Sequence, residues 1–223
     1  TPTKGIKTAV KQIIALEKTG CEIIRVAVKD AQDAKAIFKI KKDIRIPLVA
    51  DIHFNYKFAL MAIESGVDKI RLNPGNIFRR EQVREVAKLA KERNIPIRIG
   101  VNSGSLRAQY LKSKDSVTAL VRQTQDYIKM LEDFGIRNIV ISLKSSNVLD
   151  TINAYRKISQ LYNYPLHLGV TATGLFYEGI IKSSLGIGVL LIEGMGDTIR
   201  VSLLAKAQEE INIARDILSS LGL

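Results

Sequence analysis

Five strand-like apolar runs of the sequence each contain one basic residue, and cations placed in this way can bind a multiply charged anion. They are Arg25 in CEIIRVAV, Arg71 in DKIRLNPGN, Arg98 in PIRIGVNSGS, Lys144 in NIVISLKSS and Arg200 in DTIRVSL. A charge with apolar neighbours on both sides is costly to desolvate unless it has a partner. Either the five cations share an anionic ligand, or they pair with internal carboxylates in a structural network. The candidate carboxylates are Glu22, Asp51, Asp68 and Glu193.

Strand parity adds a small or polar residue to the same face as most of these cations. Side chains along a strand alternate between its two faces, so residues two positions apart share a face. The resulting groups are Arg71 with Asn73, Arg98 with Gly100 and Asn102, Lys144 with Ser142, and Arg200 with Ser202. The pattern predicts strands that each present a cation and a short hydrogen-bonding group together.

The composition is that of one large globular domain with excess positive charge. The 223 residues are 46% hydrophobic, and 34 Lys and Arg against 22 Asp and Glu give a formal charge of +12. Such a charge attracts nucleic acids, anionic membranes or phosphorylated small molecules. An aromatic content of 6% and the lack of a recognised nucleic-acid motif argue against nucleic acid as a partner. Without a run of about 18 apolar residues or a signal-peptide pattern, we expect no membrane association and a cytosolic or organelle-stromal location.

Cysteine usage limits the metal chemistry of the chain. Cys21 is the only cysteine, which excludes an internal disulfide and a multi-cysteine iron or zinc site within the chain. Its position at the start of a strand favours a buried, inert thiol over a nucleophile. We therefore expect no metal ligands in this chain.

Helix-period and strand-period segments alternate along the whole chain, which is typical of βα units. The predicted helices cover residues 4–18, 33–40, 56–64, 80–92, 116–134, 149–161, 177–185 and 208–221. The predicted strands are CEIIRVAV, PLVADI, VDKIRLN, PIRIGVN, NIVISLK, PLHLGVT and GVLLIEG. The first helix has no strand before it, so seven visible strands and one missing upstream predict an α/β TIM (β/α)8-type barrel over residues 1–223. An open doubly wound sheet is the alternative, although no Gly-x-Gly-x-x-Gly motif supports a dinucleotide-binding version.

Six segments, in order along nearly the whole chain, resemble the barrel domain of 4-hydroxy-3-methylbut-2-enyl diphosphate synthase. They are VADIHFNYKFAL, DKIRLNPGNI, PIRIGVNSGSL, ISLKSS, PLHLGVT and EGMGDTIRVSL. The resemblance implies an oxidoreductase of the methylerythritol phosphate pathway of isoprenoid biosynthesis. Its substrate is 2-C-methyl-D-erythritol 2,4-cyclodiphosphate, which it opens reductively to hydroxymethylbutenyl diphosphate.

The resemblance also implies a [4Fe-4S] cluster on a separate C-terminal domain that is absent from this chain. The chain is then the substrate-binding barrel of a longer, homodimeric enzyme that takes electrons from ferredoxin or flavodoxin. We expect the isolated chain to bind the cyclic diphosphate but to be inactive alone. The alternatives are a cluster-independent phosphate- or pterin-binding barrel transferase and a noncatalytic domain that binds polyanions such as nucleic acid.

The resemblance assigns diphosphate binding to the five cations and to a set of neutral residues. That second set is His53, Asn73, Asn102, Thr171 and Ser202. His53 is also a possible proton-transfer residue, with a helix-capping or core hydrogen bond as the alternative, while His167 is expected to pack deeper in the barrel. The segments Pro74–Asn76, Asn102–Ser105 and Gly194–Asp197 are candidate phosphate loops or plain turns.

The sequence departs from the family at the position of its expected acidic proton-transfer residue. The family string Thr-Glu-Ala-Gly is replaced by Thr171-Ala172-Thr173-Gly174, so Ala172 stands where a glutamate is expected. Alanine has no ionisable group, so we assign no catalytic residue here. Either another group such as Glu178 performs the step, or the activity is reduced or altered.

Overall fold

The computed structural model describes residues 3–113, 115–171 and 173–223, which form two compact units. Unit 1 comprises Thr1–Ile99 and Tyr127–Ile139, and unit 2 comprises Gly100–Asp126 and Val140–Leu223. Ala172, the departure from the family pattern, lies outside the described residues. No helix in the described ranges is long and apolar enough to cross a membrane.

Unit 1 is built from alternating helices and parallel strands. Its elements are α1 (Ile6–Lys18), β1 (Ile24–Val28), α2 (Ala31–Asp43), β2 (Leu48–Ile52), α3 (Tyr56–Glu64), β3 (Lys69–Leu72) and α4 (Arg80–Glu92). Two strands, β4 (Ile97–Asn102) and β5 (Ile139–Lys144), begin in this unit and end in unit 2, whereas helix α6 (Ser116–Asp133) begins in unit 2 and ends in this unit. Helices α3 and α4 begin and end where the sequence pattern predicts.

Unit 2 adds shorter strands and three long helices. Its elements are a 3-10 turn (Ser103–Ser105), α5 (Ala108–Leu111), α7 (Val148–Leu161), β6 (His167–Leu168), α8 (Phe176–Ile192), β7 (Thr198–Ile199) and α9 (Ala207–Ser219). The 3-10 turn and α5 were not predicted. Both are too short to carry a hydrophobic period that a sequence pattern could reveal.

The described strands form two parallel sheets rather than one closed ring. The larger sheet has the order β1-β2-β3-β4-β5, and β6 pairs with β7 in the smaller one. A single bridge between Ile141 and Leu166 links β5 to the segment before β6. All five residues of β2 are buried, as expected of a parallel strand covered on both faces.

The prediction of a strand at GVLLIEG was wrong, because its first five residues, GVLLI, continue helix α8 up to Ile192. An apolar run without polar interruptions carries no periodicity that separates a buried helix from a buried strand. In the structure Gly186, Ile187 and Leu190 are buried at helical spacing, and Ile192 ends the helix exposed. Seven strands are nevertheless found among the described residues, because DTIRVSL supplies β7.

The loop Gly194–Asp197 consequently lies before the last strand, not after it as predicted. Its role is structural. The Asp197 carboxylate accepts a hydrogen bond from the Leu166 N–H at 2.7 Å, and the backbone of Asp197 donates to the Leu166 carbonyl at 2.9 Å. Gly196 has φ +118°, and a Cβ there would lie 2.8 Å from Cγ of Leu168. The loop therefore ties β6 to β7 as a plain turn.

Candidate functional site

The pairing register of strands β2, β3 and β4 places three charged residues, Asp51, Arg71 and Arg98, in one row across the sheet. Asp51 is the Cα partner of Arg71, and Arg71 is the Cα partner of Arg98. Register partners in a parallel sheet point to the same face, so the three side chains share one surface of the sheet. All three residues are at least nine-tenths buried.

Asp51 is the carboxylate that organises this row. Its Oδ1 accepts a hydrogen bond from Nη1 of Arg71 at 3.0 Å, and its Oδ2 lies 3.3 Å from Nη1 of Arg25. Burial raises the pKa of Asp51, but the charges of Arg25, Arg71 and His53 outweigh it and hold the pKa below its usual value. The carboxylate therefore stays ionised and fixes two arginines at once.

The alternative of internal carboxylate partners is thus realised in part. Asp51 contacts Arg25 and Arg71, whereas Asp68 lies 2.5 Å from Lys41 instead. Glu193 pairs with Arg156. Two of the four carboxylates considered from the sequence therefore serve cations other than the five in the strands.

His53 lies at the edge of the same group with its ring half-exposed. Its Nε2 is 3.8 Å from Oδ2 of Asp51, beyond hydrogen-bond distance. The helix-capping alternative is wrong, because the side chain of Asn55 caps α3 by accepting from Lys57 N–H at 3.0 Å. The histidine is therefore accessible and adjacent to a carboxylate.

The turn after β3 is held by Asn73 rather than open to an anion. The Asn73 side-chain oxygen accepts from the Gly75 N–H at 3.0 Å, and its carbonyl accepts from the N–H groups of Asn76 and Ile77, both at 2.9 Å. The Asn76 amide also donates to the His53 carbonyl at 2.9 Å. These backbone donors are used within the turn, which favours a plain turn over an anion nest.

Two residues of unit 1 that sequence reasoning missed lie close to this row. Lys69 shares the face of Arg71 by parity, and burial together with the nearby charge of Arg98 lowers its pKa. Tyr127 is fully buried, and its hydroxyl has no hydrogen-bond partner among the described residues. The sequence DKIRLN could have revealed Lys69, because strand parity places it on the same face as Arg71.

In unit 2 the ammonium of the buried Lys144 lies close to Gly169, the residue after β6. A Cβ on Gly169 would be 2.6 Å from Nζ of Lys144 and 2.6 Å from the carbonyl oxygen of Arg200. Gly169 also has φ +155°, which disfavours any other residue. Glycine is therefore needed here so that the ammonium can approach the end of β6.

Arg200 follows β7 and is held by a carboxylate that the sequence did not reveal. Its Nη2 donates to both carboxylate oxygens of Glu210, at 3.3 and 3.4 Å. Its backbone N–H donates to the Leu168 carbonyl at 3.0 Å. The cation is thus fixed at its backbone and at one end of its guanidinium.

Three of the neutral residues predicted to bind the substrate, Thr171, Ser202 and Asn102, lie in unit 2. The Thr171 N–H donates to the Ser145 carbonyl at 3.1 Å, next to Lys144 in sequence. The Ser202 carbonyl accepts from the Thr173 hydroxyl at 2.5 Å. Asn102 ends β4, and its carbonyl accepts from the Ser105 hydroxyl at 3.3 Å. Thr171, Ser202 and Asn102 are all half-buried.

Glu178 is poorly suited to replace the missing family glutamate. It is exposed on α8, and its carboxylate lies 2.5 Å from Nζ of Lys182. The hydrogen bond and charge of Lys182 lower the pKa of Glu178. A carboxyl group with a lowered pKa is ionised near neutral pH, so it has no proton to donate as a general acid.

His167 takes the structural role that was expected of it. It is buried, and its Nδ1 lies 2.8 Å from the Thr198 hydroxyl. Its carbonyl accepts from the Tyr155 hydroxyl at 2.5 Å, and that hydroxyl accepts from the Leu143 N–H at 3.2 Å. These bonds join β5, α7, β6 and β7 inside unit 2.

The described residues do not fit an iron-sulfur cluster. Cys21 is half-buried, its thiol donates to the Ile23 carbonyl at 3.3 Å, and burial raises its pKa. A cluster needs several thiolate-type ligands. No group of three His, Cys, Asp or Glu side chains suited to a metal occurs in the part of the chain that the structure describes.

Three relatives in sequence carry the same name. The 4-hydroxy-3-methylbut-2-en-1-yl diphosphate synthase (flavodoxin) of Fusobacterium nucleatum is 51% identical over 225 residues, covering 100% of this chain and 64% of that protein. The protein of the same name from Clostridium perfringens is 54% identical over 224 residues, again covering 100% and 64%. For Geobacillus kaustophilus the identity is 52% over 225 residues, with 100% and 60% covered. The chain thus spans less than two thirds of the length of these curated relatives.

Solved structures and a family model agree on the fold. Dihydropteroate synthase of Yersinia pestis matches with a TM-score of 0.69 at 13% identity, covering 98% of this chain and 90% of that one. Type I 3-dehydroquinate dehydratase of Clostridium difficile matches with a TM-score of 0.63 at 16% identity, covering 97% and 87%. At such identities the likeness concerns the fold alone. Residues 1–215 match the model described as GcpE TIM-barrel domain. The predicted TIM-barrel fold is confirmed, and the chain belongs to the GcpE TIM-barrel domain family.

Proposed function

We propose that this chain is the substrate-binding barrel of a 4-hydroxy-3-methylbut-2-en-1-yl diphosphate synthase. The observation that carries the proposal is the burial of three cations, Arg71, Arg98 and Lys144, on the strands of a parallel sheet. Lys144 is the last residue of β5 and Arg71 the last but one of β3. Carboxyl ends of parallel strands are where TIM barrels bind substrates. The name shared by relatives about half identical in sequence supports a small diphosphate as the substrate class.

The cations of each unit suit phosphate oxygens for different reasons. An arginine presents a planar fork of donors that matches two oxygens, whereas lysine supplies a compact charge. In unit 1 Asp51 holds Arg25 and Arg71 in fixed orientations. In unit 2 Lys144 is confined beside Gly169, and Arg200 beside Glu210. Such cations need little reorganisation when an anion arrives, which favours tight binding.

The full set of substrate-binding residues that we propose combines these cations with neutral donors. It comprises Arg25, His53, Arg71, Asn73, Arg98, Asn102, Lys144, Thr171, Arg200 and Ser202. Neutral amide and hydroxyl groups add hydrogen bonds to phosphate or substrate hydroxyls without further charge. His53, half-exposed beside Asp51, is the residue of this set best suited to hold or move a proton.

Reduction requires a part of the enzyme other than this chain. In the family reaction the cyclic diphosphate takes up two electrons and loses water, and a [4Fe-4S] cluster supplies the electrons when bound. Because the described residues offer no fitting ligands, we place the cluster on another segment or protein. Flavodoxin, which the relatives' name includes, is the proposed electron donor, and the complete enzyme is proposed to be a homodimer in the bacterial cytoplasm.

Ala172 affects the proton-transfer step, because the family has a glutamate at this position. With alanine at this position, and with the Glu178 carboxylate paired with Lys182, neither of the two positions considered offers a carboxylic acid for proton transfer. We expect Ala172→Glu to raise turnover by about 100-fold in the complete cluster-bearing enzyme, the lower end of a general acid's contribution. Binding of the substrate should change little. An unchanged turnover would mean that another group already performs the step.

Calorimetry with a panel of phosphorylated ligands tests the proposal. The chain should bind 2-C-methyl-D-erythritol 2,4-cyclodiphosphate with one-to-one stoichiometry, and more tightly than a pterin diphosphate or a sugar phosphate. Tighter binding of the pterin ligand would favour the transferase alternative instead. The chain alone should not reduce the cyclic diphosphate. Turnover without an added cluster-bearing protein would contradict the proposal that the barrel binds the substrate while another part of the enzyme reduces it.

A further inference from the structure

Glu210 connects the last helix to the segment that follows the last strand. It lies in the first turn of α9, and its Oε1 accepts a hydrogen bond from the Leu203 N–H at 2.9 Å. The same carboxylate receives Nη2 of Arg200 between its two oxygens, at 3.3 and 3.4 Å. One side chain therefore fixes both a backbone group and a guanidinium.

The backbone of this segment is already fixed without help from the guanidinium. Arg200 N–H donates to the Leu168 carbonyl at 3.0 Å, and the Ser202 carbonyl accepts from the Thr173 hydroxyl at 2.5 Å. What these bonds leave undetermined is the direction of the long Arg200 side chain, which otherwise has considerable rotamer freedom. Glu210 removes that freedom by holding one terminal nitrogen.

The remaining donors of Arg200 are available to a ligand. Its side chain makes no hydrogen bond to a described residue other than Glu210. The Arg200 side chain is 39% exposed and that of Glu210 20%. A guanidinium has five N–H donors, so Nε and Nη1 can still approach phosphate oxygens while Nη2 is held.

We propose that Glu210 is a positioning residue that orients Arg200 toward a phosphate group of the ligand. The inference rests on the proposed function, because it takes Arg200 as a diphosphate-binding cation. For the effect of removing the Glu210 charge on ligand affinity, the proposal predicts a change opposite to the one expected from electrostatics alone. Removing a negative charge near an anion site would strengthen anion binding if charge alone mattered, whereas loss of orientation at Arg200 weakens it.

A double-mutant cycle separates orientation from general structural support. Glu210→Gln keeps an amide oxygen for the Leu203 N–H but removes the charge that holds Arg200. We expect this variant to bind the cyclic diphosphate about tenfold more weakly than wild type, a coupling typical of contacting residues. In an Arg200→Gln background, Glu210→Gln should have no further effect. Glu209→Gln, on the adjacent glutamate, removes the same charge and should leave binding unchanged.

Two further measurements make each outcome decisive. Glu210→Asp keeps the charge but withdraws it by one methylene, so its affinity should lie between those of wild type and Glu210→Gln. It also replaces the glutamine variant if that fails to fold. The affinities of the same variants are also measured for inorganic pyrophosphate. This comparison tests whether Glu210 strengthens phosphate binding even if the cyclic diphosphate is not the natural ligand.

The possible results distinguish this inference from the proposed function. Unchanged or tighter binding by Glu210→Gln, or an equal loss in the Arg200→Gln background, overturns the positioning role. Binding of pyrophosphate but not of the cyclic diphosphate overturns the proposed substrate while leaving Glu210 testable. If wild-type protein binds neither ligand, both inferences are wrong.

Discussion

Replacing Asp51 by asparagine is expected to destabilise unit 1, because this carboxylate neutralises two arginines. It lies 3.0 Å from Arg71 and 3.3 Å from Arg25, and the side chains of Asp51 and Arg71 are only 8% and 9% exposed. Asparagine preserves the shape and can accept one hydrogen bond, but it cannot neutralise a buried guanidinium. The variant therefore removes the negative charge that faces the buried guanidinium of Arg71.

The size of the effect follows from the burial of the pair. Removing one partner of a buried ion pair costs about 3 to 5 kcal/mol, and the retained amide places Asp51→Asn near 3 kcal/mol. For a chain of this size each kcal/mol lowers Tm by about 2 to 4 °C, so the fall should be about 6 to 12 °C. Thermal and urea denaturation at pH 7 measure it directly.

Asp133→Asn is the matched control, because it makes the same substitution in an exposed pair. Asp133 lies 3.0 Å from Arg80, with the side chains 40% and 49% exposed, so we expect a loss below about 1 kcal/mol. The Asp51 effect should also depend on pH. Since the folded-state pKa of Asp51 is depressed, its stabilisation is complete above the unfolded value of about 3.9 and is lost as pH falls through the folded pKa. Equal losses for the two variants at pH 7 would refute the role of Asp51.

Other predictions concern close packing and buried hydroxyls. Gly169→Ala should cost about 1 to 3 kcal/mol in backbone strain and weaken anion binding by displacing Lys144, measured by denaturation and calorimetry. Gly188→Ala, where a Cβ would meet no atom within 4 Å, should instead leave both unchanged or raise stability slightly. Tyr127→Phe should change stability by less than about 0.5 kcal/mol, whereas Tyr155→Phe, which loses two hydrogen bonds, should cost about 1 to 3 kcal/mol. The same cost in both tyrosine variants would contradict the hydrogen-bond assignment.

The parts of the fold that the sequence predicted well depend on local periodicity. Helices Tyr56–Glu64 and Arg80–Glu92 have clear apolar faces and recognisable ends, so their bounds agree with the pattern. Strand parity likewise placed Arg71 beside the polar Asn73, and both proved buried. The strand prediction failed at GVLLIEG because its first five residues, GVLLI, have no polar interruption, and their helical state depends on burial within unit 2.

The parts of the candidate site that the sequence did not predict depend on contacts between distant elements. Glu210 lies on a helix ten residues beyond Arg200, and nothing in its local pattern distinguishes it from Glu209. Asp51 was only one of four possible carboxylate partners, and strand register selected it by placing it opposite Arg71. Register is set by the packing of the whole sheet, so it is not encoded at either position alone.

The most direct test of the central claim is a crystal structure of this chain with 2-C-methyl-D-erythritol 2,4-cyclodiphosphate. We expect phosphate oxygens within hydrogen-bond distance of Nζ of Lys144 and of the guanidinium of Arg200, with Glu210 still bound to Nη2. A ligand seated away from both cations, or a chain that binds none at saturating concentration, would contradict the account.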